Sequence, residues 1–134
     1  MTIVDASVLV AYYIVDDAGH GAARRWFGAS GRESERLSAP TLVVSEVVGA
    51  VRRRTDEVTA ARVMQQVRRP GFLDLRVVTA ALADRAAESA LAMRLRGCDA
   101  IYVALARDLD DELVTFDQEQ LERAAAAVRV VLPE

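Results

Sequence analysis

At 134 residues and a formal net charge of −3, the chain is long enough to bury a core without disulfides or structural metal, and it is not a basic protein whose whole surface grips nucleic acid. Its single cysteine, Cys98, excludes an intramolecular disulfide and a cysteine-rich zinc site. Hydrophobic residues at 52% and charged residues at 28% describe a globule, without a membrane-length apolar run or a signal-peptide pattern, so the expectation is one soluble, cytoplasmic domain over residues 1–134.

Residues 2–6, TIVDA, read as a β-strand feeding a helix over Ser7–Val15. A second helix is expected over His20–Ala29, ending near Gly28 and Gly31, and LSAP at 37–40 as a short strand closed by Pro40. Thr41–Arg53 reads as a helix whose terminal arginines suit the negative end of its dipole. Thr55 or Asp56 can cap a helix running to Arg69, broken by Pro70 and Gly71. DLRVVT at 74–79 reads as a strand, with Thr79 capping a long helix from Ala80 to Leu95 that Gly97 stops. Residues 98–110, CDAIYVALARDLD, form a helix apolar on nearly every face, which demands burial. ELVTF at 112–116 is a strand, QEQLERAAA a short helix and VRVVL at 128–132 a last strand. The alternation predicts an α/β fold with a mainly parallel central sheet covered on both sides.

Four carboxylates stand in apolar company. Asp5 and Asp117 each follow a strand where the chain turns into a helix, the place where open parallel sheets bind ligands, and each is equally suited to cap that helix. Glu46 shares a helical stripe with Leu42, Val43, Gly49 and Ala50 and needs either an arginine partner or a metal. Asp99 opens the all-apolar helix, where a negative charge also suits the dipole. Asp16, Asp17, Asp56, Glu57, Asp108, Asp110, Asp111, Glu112 and Glu122 fall in loops, helix ends or charged faces and read as solvated.

Were Asp5, Glu46, Asp99 and Asp117 to converge, they would require positive counter-charge. All 17 basic residues are arginine, and an oxygen-only donor set is what hard cations such as Mg²⁺ or Mn²⁺ prefer. Phosphodiester hydrolysis is the chemistry such a site suggests. The missing lysine argues against phosphoaspartate receivers and haloacid-dehalogenase-type phosphatases, and no glycine-rich loop supports a P-loop enzyme.

IVDASVLVAYY, SEVVGAVRRR, LRGCDAIYVALA and LVTFDQEQL, in this order along nearly the whole chain, resemble the PIN-domain nucleases, and among them the VapC-type toxins of bacterial toxin–antitoxin pairs. The resemblance implies a PIN-like three-layer fold and an acidic site of Asp5, Glu46, Asp99 and Asp117 for Mg²⁺ or Mn²⁺. Asp5 and Asp99 would hold the metal directly, Glu46 and Asp117 partly through waters. Ser7 and Thr115 match hydroxyl positions beside the metal. Many relatives carry a further acid after the fourth, and Glu119 or Gln120 occupies that neighbourhood here. The implied activity is that of an endoribonuclease cutting structured RNA, tRNA or rRNA, to a 5′-phosphate and a 3′-hydroxyl, inhibiting translation and growth. A homodimer and a VapB-type antitoxin, in a heterotetramer or larger assembly, complete the picture.

Arg52, Arg53 and Arg54, Arg68 and Arg69, and above all Arg94 and Arg96 are candidates for RNA phosphate contacts or, equally, helix-end partners. Trp26 and Phe27 suit either base stacking or core packing. Val8, Tyr12 and Tyr13 suit either an antitoxin groove or the core. His20 at a helix start is a poor catalyst. Two rivals remain: a PIN-like scaffold whose acids are caps and ion pairs, and a structure-specific DNA nuclease.

Overall fold

A computed structural model of the chain describes residues 1–28 and 36–134. The expected end of the second helix at Ala29 and Gly31 lies outside the described residues. In chain order the elements are β1 (Thr2–Val4), α1 (Ala6–Tyr13), α2 (His20–Gly28), β2 (Leu37–Pro40), α3 (Val43–Arg54), α4 (Glu57–Val67), β3 (Asp74–Arg76), α5 (Ala80–Met93), α6 (Gly97–Leu109), β4 (Glu112–Val114), α7 (Gln118–Arg123) and β5 (Val130–Val131).

The strands form one sheet in the order β3-β2-β1-β4-β5, every pair parallel, with Ile3 opposite Ser38 and Leu113 and Val4 opposite Val114. Neighbouring residues of a strand point to opposite faces. Ile3 and Val4, Ser38 and Ala39, and Leu113 and Val114 are all fully buried, so both faces of the central strands are covered. Helix α6 lies across β1, β2 and β4, with α5 against it, while α1 packs on α2 and α3, and α3 on α4. The apolar run in α6 is explained by this placement, since Ala100 and every residue from Tyr102 to Ala106 is buried. Burying each Val or Leu of this core contributes about 1.5–3 kcal/mol relative to exposure.

Where boundaries differ from expectation, the reason is local. β3 and β5 are edge strands with one neighbour each, and they stop after Arg76 and Val131 rather than filling 74–79 and 128–132. Beyond β3, Thr79 caps α5, its Oγ1 accepting the Leu82 N–H at 3.1 Å. Gly97 does not end α5. Arg94, in the left-handed region at φ 56°, does so, and Gly97 opens α6. Asp56, not Thr55, caps α4. α1 ends at Tyr13 because Ile14 is extended, and α3 starts at Val43 after a turn at Thr41 and Leu42.

The aromatic residues belong to packing. Trp26 is buried and meets Phe27 edge-on at 5.0 Å, and Phe27 stacks on Phe72 at 6.3 Å and touches Tyr12 at 4.7 Å. Val8 is fully buried and so forms no surface groove. Among the described residues, no helix is long and apolar enough to cross a membrane.

Candidate active site

The strand order places β2 and β3 on one side of β1 and β4 and β5 on the other. The chain therefore reverses its direction of travel across the sheet between β1 and β4, and crevices at such points bind ligands beyond the carboxyl ends of the strands. Asp5 follows β1 and Asp117 follows β4, while Glu46 and Asp99 sit in the first turns of α3 and α6. All four acids thus stand at helix N-termini, where the partial positive charge of the dipole favours a carboxylate.

Asp5 is held from all sides. Its backbone N–H extends the ladder to the Val114 carbonyl at 2.9 Å, and its Oδ2 accepts from the Ser7 N–H at 3.1 Å, from the Ser7 hydroxyl and from the Thr115 hydroxyl at 2.9 Å. Ser7 and Thr115 also tie the following turn down: Ser7 Oγ accepts the Phe116 N–H at 3.0 Å, and Thr115 Oγ1 accepts the Asp117 N–H at 2.9 Å. One pair of hydroxyls thereby fixes two acids from different strands.

The remaining oxygens are bridged by two side chains. Gln120 Nε2 donates to Asp5 Oδ1 at 3.2 Å and to Asp99 Oδ1 at 3.1 Å. Arg96 donates from Nε to Asp99 Oδ2 at 3.0 Å and from Nη2 to Asp117 Oδ2 at 2.8 Å, and comes within 4.0 Å of Glu119. Asp117 Oδ1 caps α7 by accepting the Gln120 N–H at 3.0 Å. Glu46 approaches through Tyr102, whose hydroxyl donates to its Oε1 at 2.8 Å.

The electrostatics show negative charge in excess. Burial raises the pKa of Glu46 above the usual carboxylate range, and the charges of Asp5 and Asp99 push the same way against the Tyr102 hydrogen bond. Asp99 is raised too, by burial first, with Asp117 and Asp5 adding to it and Arg96 opposing. The buried Tyr102 phenol, facing Asp5 and Glu46, is held firmly protonated. Arg96 in turn has its pKa raised by Asp99 and Asp117.

A hard divalent cation fits the chemistry of this donor set: carboxylate oxygens without sulfur or imidazole, four acids against one bridging guanidinium among the described residues, and Oδ1 of Asp5 and Asp99 both directed at one amide NH₂ group. As it stands, no group of three or more His, Cys, Asp or Glu among the described residues is arranged to hold a metal. Gln120 and Arg96 occupy the oxygens that such a cation would use.

The family model of the PIN domain matches residues 2–127. The chain belongs to the PIN family. The fold of this PIN domain is similar to that of VapC20 from Mycobacterium tuberculosis, described as a toxin cleaving the sarcin-ricin loop, with a TM-score of 0.81, 23% identity and 96% of each chain covered. It is also similar to a toxin–antitoxin complex from Klebsiella pneumoniae, at a TM-score of 0.73 and 17% identity over 100% of this chain and 98% of that one. FitAcB from Neisseria gonorrhoeae gives a TM-score of 0.76 at 13% identity, covering 99% of this chain and 98% of that one. At these identities the likeness is one of fold. No curated protein sequence matches the chain.

In this PIN domain the expected arginines part company. Arg96 lies on the acids although its side chain is 67% exposed. Arg94 is exposed at the end of α5, its carbonyl accepting from Arg123 Nη1 at 2.7 Å. Arg52, Arg53, Arg68 and Arg69 are exposed, and Arg54 pairs with Asp17 at 2.7 Å. His20 is occupied by a 2.9 Å hydrogen bond between Nδ1 and the Ala11 carbonyl. Two members of the network were not singled out by sequence reasoning: Tyr102, and Gln120, which was named only as a neighbour of the fourth acid. Each lies three residues after a site acid, Asp99 or Asp117, and so one helical turn away on the same face.

Proposed function

We propose that this PIN domain is a divalent-cation-dependent endoribonuclease toxin of the VapC type, cutting structured RNA such as tRNA or rRNA and so arresting translation and growth. The observation that carries the reading is the convergence of Asp5, Asp99 and Asp117 through Gln120 and Arg96, with Glu46 raised beside them. Asp5 and Asp99 would hold Mg²⁺ or Mn²⁺, with Glu46 and Asp117 completing the charge. The bound cation would lower the pKa of a water and offset charge developing on the phosphoryl oxygens. Ser7 and Thr115 keep Asp5 in one orientation, and Tyr102 does the same for Glu46. Glu46, oriented by the Tyr102 hydroxyl, would be the carboxylate that takes the proton of the attacking water. Water oxygen would join phosphorus and give a proton to Glu46 while the bond to the 3′-oxygen breaks and that oxygen takes a proton from solvent, leaving a 5′-phosphate and a 3′-hydroxyl. Arg96, paired with Asp99 and Asp117 but 67% exposed, would meet an RNA phosphate once a cation takes over those carboxylates, with Arg94, Arg52 and Arg53 as further contacts.

A VapB-type antitoxin and a second copy of the chain are the partners this reading calls for, the antitoxin covering the acids. The N-cap bonds of Asp5 and Asp117 favour a second reading, a catalytically inactive PIN-like scaffold. Mapping RNA 5′-monophosphate ends in cells expressing the chain or Asp99→Asn separates the two. Discrete new ends with the wild type alone are expected from the nuclease, and identical maps from two soluble, inhibitor-free proteins would leave the scaffold.

A further inference from the structure

Gln120 is fully buried in the first turn of α7, and its carboxamide is only half satisfied. Nε2 donates to two carboxylates at once, Asp5 Oδ1 at 3.2 Å and Asp99 Oδ1 at 3.1 Å. Oε1 is equally buried and has no hydrogen-bond partner among the described residues. Native proteins satisfy nearly all such atoms, and an orphan beside an acidic cluster calls for a physical reason.

The two ends of a carboxamide are nearly alike in size and exchange places by a half turn about the last side-chain bond. After that turn Oε1 stands where Nε2 stands, within 3.1–3.2 Å of both carboxylate oxygens. An amide oxygen there faces two carboxylate oxygens and is repelled by both unless a cation lies among them. Octahedral Mg²⁺, with bonds of about 2.0–2.1 Å, sets adjacent ligand oxygens about 3 Å apart. The distance from the Gln120 amide to each carboxylate oxygen is thus close to that between adjacent ligands of a magnesium ion.

We propose that Gln120 is a cation-responsive element of the site. Without a cation, Nε2 braces Asp5 against Asp99, and when a hard divalent cation enters, the amide turns and gives Oε1 to the ion and its hydration shell. The proposal rests on the reading of the acids as a cation site. A glutamine adds an oxygen without a fifth negative charge, so the cation-free protein avoids the extra repulsion that an acid here would bring. In the cation-free state Oε1 is left without a partner, and the turn moves the NH₂ group into that place.

The test is a Mg²⁺ titration of the full chain, read by calorimetry and by the side-chain amide resonances of Gln120. On Mg²⁺ saturation the Gln120 NH₂ signals are expected to move as their carboxylate acceptors are lost. Gln120→Met, which keeps the length and removes both polar ends, is expected to bind Mg²⁺ about 10-fold or more weakly. Gln120→Glu is expected to bind it more tightly while melting at lower temperature without cation. Unmoved amide signals, or a Gln120→Met variant binding as tightly as the wild type, would overturn the proposal and leave the acidic site standing. A wild type that takes up neither Mg²⁺ nor Mn²⁺ would remove the acid-site reading and the role of Gln120 together. If Gln120→Met does not fold, the wild-type amide signals decide alone.

Discussion

The two ends of the β-sheet hold acids in different company. Where the strands begin, Asp111 pairs with the Met1 amine at 3.2 Å and Glu112 with Arg129 at 3.4 Å, one cation to each acid at the rim of an open depression of about 680 Å³. Where the strands finish, Arg96 bridges Asp99 and Asp117, Gln120 bridges Asp5 and Asp99, and Glu46 meets the Tyr102 hydroxyl, with Asp5 and Asp99 almost wholly buried. In the first arrangement each of these acids has its own cation, and the exposed Glu112–Arg129 pair is worth about 0–1 kcal/mol. The second gathers carboxylates whose mutual repulsion and burial raise the pKa of Glu46 and Asp99, while Asp5 and Asp117 also cap their helices.

The sharpest way to break this comparison is Asp99→Asn. RNA cleavage is expected to fall on the order of 10²–10³-fold, while the cation-free protein melts at higher temperature because a raised, repelled carboxylate becomes neutral. Cleavage kinetics on the mapped RNA and a thermal melt in chelator read the two effects. A lower melting temperature would mean that the Arg96 pair outweighs the repulsion and that the two ends are alike.

Thr115→Val comes next. It removes a fully buried hydroxyl that donates to Asp5 and accepts from the Asp117 N–H. A loss of about 1–3 kcal/mol in urea unfolding is expected from the unsatisfied groups left behind.

The pH dependence is smaller but has a definite sign. Glu46 and Asp99 have raised pKa values, so the folded state binds their protons more readily than the unfolded chain does. Stability of the cation-free protein should therefore rise as pH falls from neutral toward the ordinary carboxylate range. Asp17, lowered by Arg54 and the Gly19 N–H against its own burial, acts oppositely, and its contribution is lost as pH drops below that range. Melting temperature against pH in chelator should pass through a maximum on the acid side of neutrality, and Asp99→Asn should flatten the rise.

The smallest effect belongs to the other end of the sheet. Arg129 is 79% exposed, and Arg129→Ala should change unfolding free energy by no more than about 0.5 kcal/mol. A larger loss would show that the solvated end also depends on its charges.

Much of the architecture was legible along the chain, because strand and helix periods, caps and breakers are local. Asp56 and Thr79 announce their helices, and the unbroken apolar character of α6 states that it lies against the sheet. Edge strands were overread, since β-branched residues at 77–79 carry propensity whether or not a second neighbour exists to pair with them. The end of α5 was misplaced because Arg94 adopts a left-handed conformation that glycine usually supplies.

The four acids were visible in the sequence because carboxylates among apolar residues are costly and therefore conspicuous. Their partners were visible only in part: Ser7 and Thr115 were expected beside the acids and Arg96 was singled out for RNA phosphate rather than for Asp99 and Asp117, while Gln120 and Tyr102 look like an ordinary polar helix residue and an ordinary core aromatic. Only the parallel register of β1 and β4 brings residue 5 beside residues 115, 117 and 120, across more than a hundred positions of chain. By itself, then, the sequence determined the elements and the cost of its buried charges, which depend on neighbours a few residues away. The tertiary structure alone decided which oxygens face one another, which side chains hold them apart, and that a single amide stands between Asp5 and Asp99, because those depend on how distant segments pack.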